Sequence, residues 1–583
     1  MVVKNLRKIL SKKQKLNMCI LLFMMIVGAV FEMTTVTLII PLVSVIMNAK
    51  MIQKNHYLSF FYELFHMKSE NQFLILLVLA LILAYVVKNV FVLLMYVVQA
   101  NFVTKNQFKM SRQLLENFMN RPYEYYLNAS TGDIIRIVQW DVGNVFMLLN
   151  NLLSFLSELF IFVALVCLLL VVDWAMTLGI AVLLGVALVT SKFIFKNHLV
   201  KAGEKTQKYS SIMNKWLLQS IEGIKEIKIL HKEAKFVHQY EISGKKNARA
   251  QKQNAILSQA PRLMIETVSM CGMLGIIAFL LASGREIENM LPQIAAFGMA
   301  AVRLMPSANR MNTYLNAISF LEPSLKTVCE NIDYVPERKA ITDVGQSGEI
   351  EKTSLHKEIL LENIQYAYPN TDKNLFEDAN MKIPAGKSVA VIGSSGAGKT
   401  TIIDILLGLL EPQNGVISFD GINVKSDYYG WLSKIGYIPQ SIFMLDDTIK
   451  GNIAFGLDEK DVSDERVWKV LEDAQLADHI RSLPDGINTE IGEKGVRLSG
   501  GQRQRLGIAR ALYHNPDILV FDEATSALDN ETEAAIMDSI NRFQGEKTMI
   551  IIAHRLGTIK DCDYIYKVEN GKIYLDEEKT SIK

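Results

Sequence analysis

The stretch Val389-Ala-Val-Ile392-Gly393-Ser394-Ser395-Gly396-Ala397-Gly398-Lys399-Thr400-Thr401 is a short apolar strand running into a glycine-rich turn. The largely apolar helical run Ile402–Leu410 follows at once. It matches G-x-x-x-x-G-K-[ST] between a strand and a helix, the setting that makes the pattern a phosphate-binding loop. The glycines let successive backbone N–H groups wrap a β-phosphate, helped by the positive end of the helix. Lys399 is placed to reach the β- and γ-phosphates, and the Thr400 hydroxyl to bind Mg²⁺. An ordinary Gly-rich turn is the plainer alternative, and the strand–loop–helix context counts against it.

Farther along, Ile518-Leu-Val-Phe-Asp522-Glu523 is an apolar strand ending in two acids. A buried strand that delivers a carboxylate at its C-terminal edge suits a metal ion beside a phosphate-binding loop. Asp522 would hold the ion and Glu523 would polarise an attacking water. Alone this is a weak signal, since many strands end in acids. Its weight comes from its surroundings: Leu498-Ser499-Gly500-Gly501-Gln502 about twenty residues upstream, Ser526-Ala-Leu-Asp529 just after it, and His554 after another apolar strand, Met549–Ala553.

That set resembles the nucleotide-binding domain of ATP-binding cassette (ABC) transporters, from about residue 358 to the C-terminus, and the LSGGQ order is specific to that family. The resemblance implies ATP and Mg²⁺ as cofactors, and a role for each matching position. Tyr368 is similar to the aromatic that stacks on adenine. Gln440, ending Tyr437-Ile-Pro-Gln440, is similar to the Q-loop glutamine, a Mg²⁺ ligand together with Thr400 and Asp522. Ser499, Gly500, Gly501 and Gln502 resemble the signature residues that meet the γ-phosphate held by the opposite subunit. Asp529 resembles the D-loop aspartate, and Glu523 and His554 the catalytic glutamate and switch histidine. In this family each ATP lies between the P-loop of one subunit and the signature of another. A chain with one of each therefore needs a partner, and its intact motifs favour a homodimer.

Upstream the composition changes in kind. Leu159–Val172 has no polar side chain, and Trp174–Ser191 and Thr267–Gly284 have no charge. Leu16–Ala49 carries only Glu32, and Phe73–Val98 only Lys88. A sixth, weaker stretch begins at Leu291 and carries Arg303 and Arg310. A bilayer core about 30 Å thick needs roughly 20 apolar residues in a helix. The reading is six spans, at about 16–48, 72–103, 144–172, 174–196, 258–284 and 291–318. Lys4, Arg7, Lys8, Lys12, Lys13 and Lys15 hold the N-terminus in the cytoplasm. The polar stretches 104–143 and 197–257 then face inward, with helices continuing below the membrane. The first span is too long for a cleaved signal peptide. Glu322–Lys357, charged and containing Pro323, Pro336, Gly345 and Gly348, marks a linker. The expected organisation is a transmembrane domain over 1–325, a linker over 326–357 and an α/β P-loop nucleotide-binding domain over 358–583.

A net charge of +2 gives no basic excess pointing to nucleic acid. Five scattered cysteines without CxxC spacing argue against a disulfide framework and a zinc site. Six spans ahead of the cassette resemble the exporter branch of the family. Pro122–Asp141 and Ser220–Lys228 look like its coupling helices, with a plain solvated helix as the alternative.

Cargo must be read from intramembrane charge, which is costly and usually functional. Counted from the outer helix ends at about 1.5 Å per residue, Arg303, Lys88, Arg310 and Arg262 lie about 18, 24, 28 and 33 Å deep. Cations from three spans thus fall in the inner-leaflet half and would attract a phosphate-bearing headgroup. Internal ion pairing is the competing reading, with Glu266 four residues after Arg262 and Glu32 and Glu158 also available. Tyr57, Phe60, Phe61, Leu64 and Phe65 space as one helical face in the outward loop, for the outer membrane surface or for the protein's own wall. Val302–Arg310 and the Glu32/Pro41 pattern resemble bacterial flippases for lipid-linked oligosaccharides, those of protein N-glycosylation. That likeness implies a polyprenyl-pyrophosphate glycan as cargo and the cytoplasmic (inner) membrane as location. It makes Lys88, Arg262, Arg303 and Arg310 the cavity cations, with Lys88 standing where arginine is expected. Exporters of lipid A-like glycolipids, drugs or peptides are rivals, and from another class an ATP-gated channel or regulator.

Overall fold

The computed structural model describes residues 2–47, 56–65, 69–172, 174–282, 287–332, 355–369, 371, 373–522, 538, 540–552 and 562–576. The chain forms two units. One takes in Met1–Arg121 and Ala129–Arg338, the other Pro122–Asn128 and Lys339–Lys583.

The first unit is built on six long helices: Lys12–Met47, Glu70–Met119, Val142–Val172, Trp174–Glu222, Glu233–Ala282 and Ile287–Ile332. Among the described residues, four stretches are long and apolar enough to cross a membrane, within 12–35, 70–119, 131–171 and 177–222. The other two expected spans fall on Glu233–Ala282 and Ile287–Ile332, where the side chains of 279–303 lie outside the described residues. Apolar side chains cover the outside of these helices: Val78, Leu83, Val90, Leu93, Val171 and Val186 are all exposed. That is the pattern for a helix solvated by lipid tails. A 50-residue helix such as Glu70–Met119 runs about 75 Å, more than twice the hydrocarbon thickness, so its polar end stands clear of the bilayer.

The linker begins later than the composition implied. Ile287–Ile332 continues through 326–332, because Leu325, Val328 and Cys329 bury a continuous face and packing there overrides the breaker signal of Pro323. The external helix His56–Leu64 forms as its spacing predicts. Phe60, Phe61, Leu64 and Phe65 point outward and exposed, while Tyr62, from outside that stripe, packs edge-on against Phe73 at 5.4 Å. The side chain of Tyr57 lies outside the described residues.

Two features tie the polar ends of the helices together. Arg136–Asp141 is a π-helical turn, in which i→i+5 bonding brings residues five apart one above the other. Arg136 and Asp141 therefore face inward together and form an ion pair, while Trp140 is exposed. Asp141 also accepts from Ser324 Oγ (2.8 Å) and Gln207 Nε2 (3.1 and 3.2 Å), on two other long helices. At Gly203 a Cβ would lie 2.1 Å from the Phe320 carbonyl oxygen. Only glycine lets the backbones of Trp174–Glu222 and Ile287–Ile332 come this close.

The second unit holds two sheets. An antiparallel sheet of order β2-β1-β4-β5 comprises β1 (Glu358–Tyr366), β2 (Phe376–Pro384), β4 (Asn414–Phe419) and β5 (Ile422–Asn423). The other has order β10-β9-β3-β8-β7-β6, from β3 (Ser388–Ile392), β6 (Ile435–Ile438), β7 (Ile518–Asp522), β8 (Thr548–Ile552), β9 (Tyr564–Glu569) and β10 (Lys572–Leu575). Strands β9, β3, β8, β7 and β6 are parallel along this row. β7 and β8 are buried along their whole lengths, as continuous apolar runs in a parallel sheet must be.

Candidate functional site

Parallel pairing sends the C-terminal ends of β3, β8, β7 and β6 to one edge of the sheet. From that edge emerge the Gly393 loop after β3, Asp522 at the end of β7 and Gln440 just past β6. Such an edge is where open α/β sheets bind ligands.

Gly396 and Gly398 in the loop adopt φ of +80° and +103°, conformations that glycine reaches without strain. A Cβ on Gly398 would also meet the Phe376 ring at 2.8 Å. Gly398 caps the helix Lys399–Leu406 without any side-chain cap bond, so the first-turn N–H groups remain open to an anion. The Lys399 side chain is buried and folded back over the loop, its Nζ donating to the Gly393 and Ser394 carbonyls at 3.1 Å each. This cradle fits a nucleotide phosphate chain: Ser394, Ser395, Gly396 and Gly398 would supply backbone N–H groups, Lys399 a charge and Thr400 a hydroxyl, while the Ala397 N–H is bonded to the Ser394 carbonyl at 3.1 Å. The Tyr368 hydroxyl bonds to Thr401 Oγ1 at 2.8 Å, and its ring meets Tyr366 edge-on at 5.3 Å. The aromatic expected at adenine is thereby fastened to the P-loop helix itself.

Asp522 is buried and accepts from the Tyr437 hydroxyl at 3.3 Å. Asp404, four residues past Thr400 and so on the same helix face, is pushed up to about 6 by burial and by the charge of Asp522. Burial and the same two carboxylates push the Tyr437 phenol up as well. A concentration of negative charge beside a phosphate cradle fits a divalent cation, with Thr400, Gln440 and Asp522 as the residues that would hold it. Gln440 is exposed at the edge.

The segment Pro122–Asn128 belongs to this unit, and Glu124 Oε1 accepts from the hydroxyl of the fully buried Tyr366 at 3.4 Å. This places the start of one expected coupling segment against the end of β1, two residues before Tyr368. The other, Ser220–Lys228, is broken at Gly223, between the helix that ends at Glu222 and the short helix Ile224–Ile229, and Ile221, Ile224, Ile229 and Leu230 around that break are exposed.

Ser499 caps the helix Gly500–Tyr513 with a reciprocal pair of bonds. Its Oγ accepts from the Gln502 N–H at 3.2 Å, and its own N–H donates to Gln502 Oε1 at 2.8 Å. Gly501 follows within the first turn; Ser499 and Gly500 are exposed. Among the described residues, no hydrogen bond or ion pair links this cap to the P-loop of the same chain. The S-x-x-Q spacing was a legible capping-box signal that the motif reading passed over. Asp404 had a signal in its i+4 spacing from Thr400, whereas Tyr437 had none beyond its strand. Glu523, Asp529 and His554 lie outside the described residues.

In the membrane unit, Lys88 Nζ is 2.8 Å from Glu32 Oε2, and Arg310 Nε 2.7 Å from Glu158 Oε1. Ser307 Oγ donates to the other oxygen of Glu158 at 3.1 Å. The pairing reading thus holds for these two cations, with Glu32 and Glu158 as partners. Arg262 is exposed and has no ion pair to a described residue, Glu266 included. The side chain of Arg303 lies outside the described residues.

A phosphate cradle, a buried acidic strand end and a capped signature helix, following six long helices, define an ATP-driven membrane transporter of exporter architecture. Residues 376–526 match the ABC transporter family, and residues 18–297 match the ABC transporter transmembrane region. An ATP-dependent lipid A-core flippase of Idiomarina loihiensis is 31% identical over 477 residues, covering 80% of this chain and 79% of that protein. One of Bordetella avium is 28% identical over 464 residues, covering 79% and 77%. The solved structure of a bacterial Atm1-family ABC exporter with ATP bound superposes with a TM-score of 0.77 at 23% identity, covering 96% of this chain and 94% of that one. The chain belongs to the ABC transporter family: it is an exporter-type half-transporter that binds ATP and couples its hydrolysis to transport across a membrane.

Proposed function

We propose that this chain works as a homodimeric flippase, moving a lipid-linked oligosaccharide, a polyprenyl-pyrophosphate glycan, from the inner to the outer leaflet of a bacterial cytoplasmic membrane. The observation that carries the reading is Arg310. It sits in a membrane helix, its Nε bonded to Glu158 and its Nη2 donating to Ser307 Oγ at 3.4 Å, yet its side chain is 51% exposed. A guanidinium with one free edge inside the membrane domain is suited to bidentate capture of a phosphate. Lys88, Arg262 and Arg303 add cations from the same and neighbouring helices, and Glu32 and Glu158 hold Lys88 and Arg310 in place until a pyrophosphate competes for them.

On this reading each nucleotide is bound between the P-loop of one subunit and Ser499, Gly500, Gly501 and Gln502 of the other, with Asp529 at the junction. Thr400, Gln440 and Asp522 would hold Mg²⁺, which would neutralise charge on the phosphates. Glu523, directly after Asp522, takes the proton of the attacking water, and His554, just past β8, meets the γ-phosphate. The exposed apolar tip around Gly223 docks on the neighbouring cassette. The names of the relatives favour a second reading, a lipid A-core glycolipid as cargo.

Flipping of a polyprenyl-pyrophosphate glycan in proteoliposomes tests the proposal. Transport should require ATP, and the Arg303→Ala/Arg310→Ala double variant should lose far more transport than ATP hydrolysis. Equal transport in that variant removes the cavity argument. Robust ATP hydrolysis without transport of this lipid moves the cargo to another amphiphile.

A further inference from the structure

The side-chain amide of Gln502 is committed at both ends. The Ser499 backbone N–H can only donate, so the Gln502 atom 2.8 Å from it must be the carbonyl oxygen. That fixes the orientation of the amide and leaves its Nε2, a donor only, facing His479 Nε2 at 3.0 Å. His479 Nε2 must therefore accept, which makes the imidazole neutral with its proton on Nδ1. His479 stands on a separate element, the short helix Ala477–Arg481. Ala477 and Ile480 of that helix are buried in the same core as Leu498 and Leu506, on either side of the signature. The imidazole is thus held by one packed element and reaches across to the cap of another.

We propose that His479 is a positioning residue for ATP hydrolysis: it holds the Gln502 carboxamide in the one orientation that closes the reciprocal cap, and so fixes the direction of the Ser499 hydroxyl and the Gly500 N–H. This rests on the reading that Ser499 acts on the nucleotide of the partner subunit. With an apolar ring at position 479, the Gln502 Nε2 loses its acceptor. The amide is then free to turn, and in the turned state its NH₂ faces the Ser499 N–H, donor against donor. The cap opens and the Ser499 hydroxyl is no longer aimed.

The test is Mg·ATP turnover by the full-length protein in proteoliposomes, with His479→Phe, His479→Gln and Ser499→Ala beside the natural sequence. His479→Phe should lower kcat by about fivefold, the size of one hydrogen bond lost at a half-buried donor. His479→Gln offers an acceptor oxygen at similar reach and should recover most of the rate. Adding His479→Phe to Ser499→Ala should cost less than His479→Phe costs alone, since the hydroxyl it aims is already gone. Turnover by His479→Phe at the natural rate overturns the proposal, as does equal impairment of the Phe and Gln variants, which would mean packing alone. If Ser499→Ala itself turns over normally, the signature reading fails and the proposal falls with it. A slow Ser499→Ala beside a normal His479→Phe refutes the proposal and leaves that reading intact.

Discussion

Asp404 is a carboxylate that the fold holds at a cost, and the cost is measurable. Burial and the charge of Asp522 raise its pKa from 3.8 to about 6. The folded cassette therefore binds this proton more tightly than the unfolded chain. The stabilisation is fully present below about pH 4 and is lost as pH rises through about 6. Two pKa units correspond to about 3 kcal/mol. The side chain is only partly buried, so solvent screening brings the figure to about 1.5 kcal/mol. Replacement by asparagine keeps the shape and removes the charge. At pH 8, in chelator and without nucleotide, Asp404→Asn should be more stable by that amount, raising the melting temperature of the detergent-solubilised protein by about 3–6 °C. At pH 5 the gain should fall to about half, and it should vanish only toward pH 4. A divalent cation should also diminish it at pH 8, by offsetting the repulsion. Thermal melts by intrinsic fluorescence at both pH values decide the matter. An asparagine variant that is equally stable, or less stable, at pH 8 refutes the claim that these carboxylates repel one another.

Asp141→Ala leaves the buried Arg136 guanidinium, Gln207 and Ser324 without their acceptor and should destabilise the membrane unit by about 3–5 kcal/mol, while Arg136→Met/Asp141→Leu together should cost far less than the sum of the single changes. Thermal melts of the four proteins measure that coupling, and strict additivity would contradict it. Glu523→Gln should abolish ATP hydrolysis while nucleotide still binds, read by phosphate release beside an equilibrium binding assay; undiminished turnover would sink the assignment of the water-activating base.

The P-loop could be read directly because its chemistry is local: strand, glycines, lysine and helix occupy one short run, and the structure finds them in that order on β3 and the helix after it. The membrane helices were legible for the same reason, since hydrophobic length is a property of a segment. Ion pairing was a legible alternative for the membrane cations, but which carboxylate meets which cation is set by partners far apart in sequence. Lys88 meets Glu32 and Arg310 meets Glu158, whereas Arg262 ignores the glutamate one turn away. Spacing along a helix says who can meet on that helix and nothing about the neighbour packed against it. Residues 326–332 were misassigned to the linker because a proline was weighed without the buried face of Leu325 and Val328 that outweighs it. His479 carries no motif at all, and only the folded contact with Gln502 gives it a role.

The close approach at Gly203 also has a mechanical meaning. Where two backbones touch with no side chain between them, the contact can act as a fulcrum. From Gly203 the helix Trp174–Glu222 extends about 44 Å toward Trp174 and about 28 Å toward Glu222. These are unequal arms of one lever. A tilt of about 5° about that point would carry the far end about 4 Å and the near end about 2.5 Å in the opposite sense. A small stroke delivered at the exposed tip around Gly223 would thus reach the other side of the membrane amplified by about half. A bulkier residue at position 203 would wedge the pivot, and the loss would appear as hydrolysis that no longer does work on the cargo.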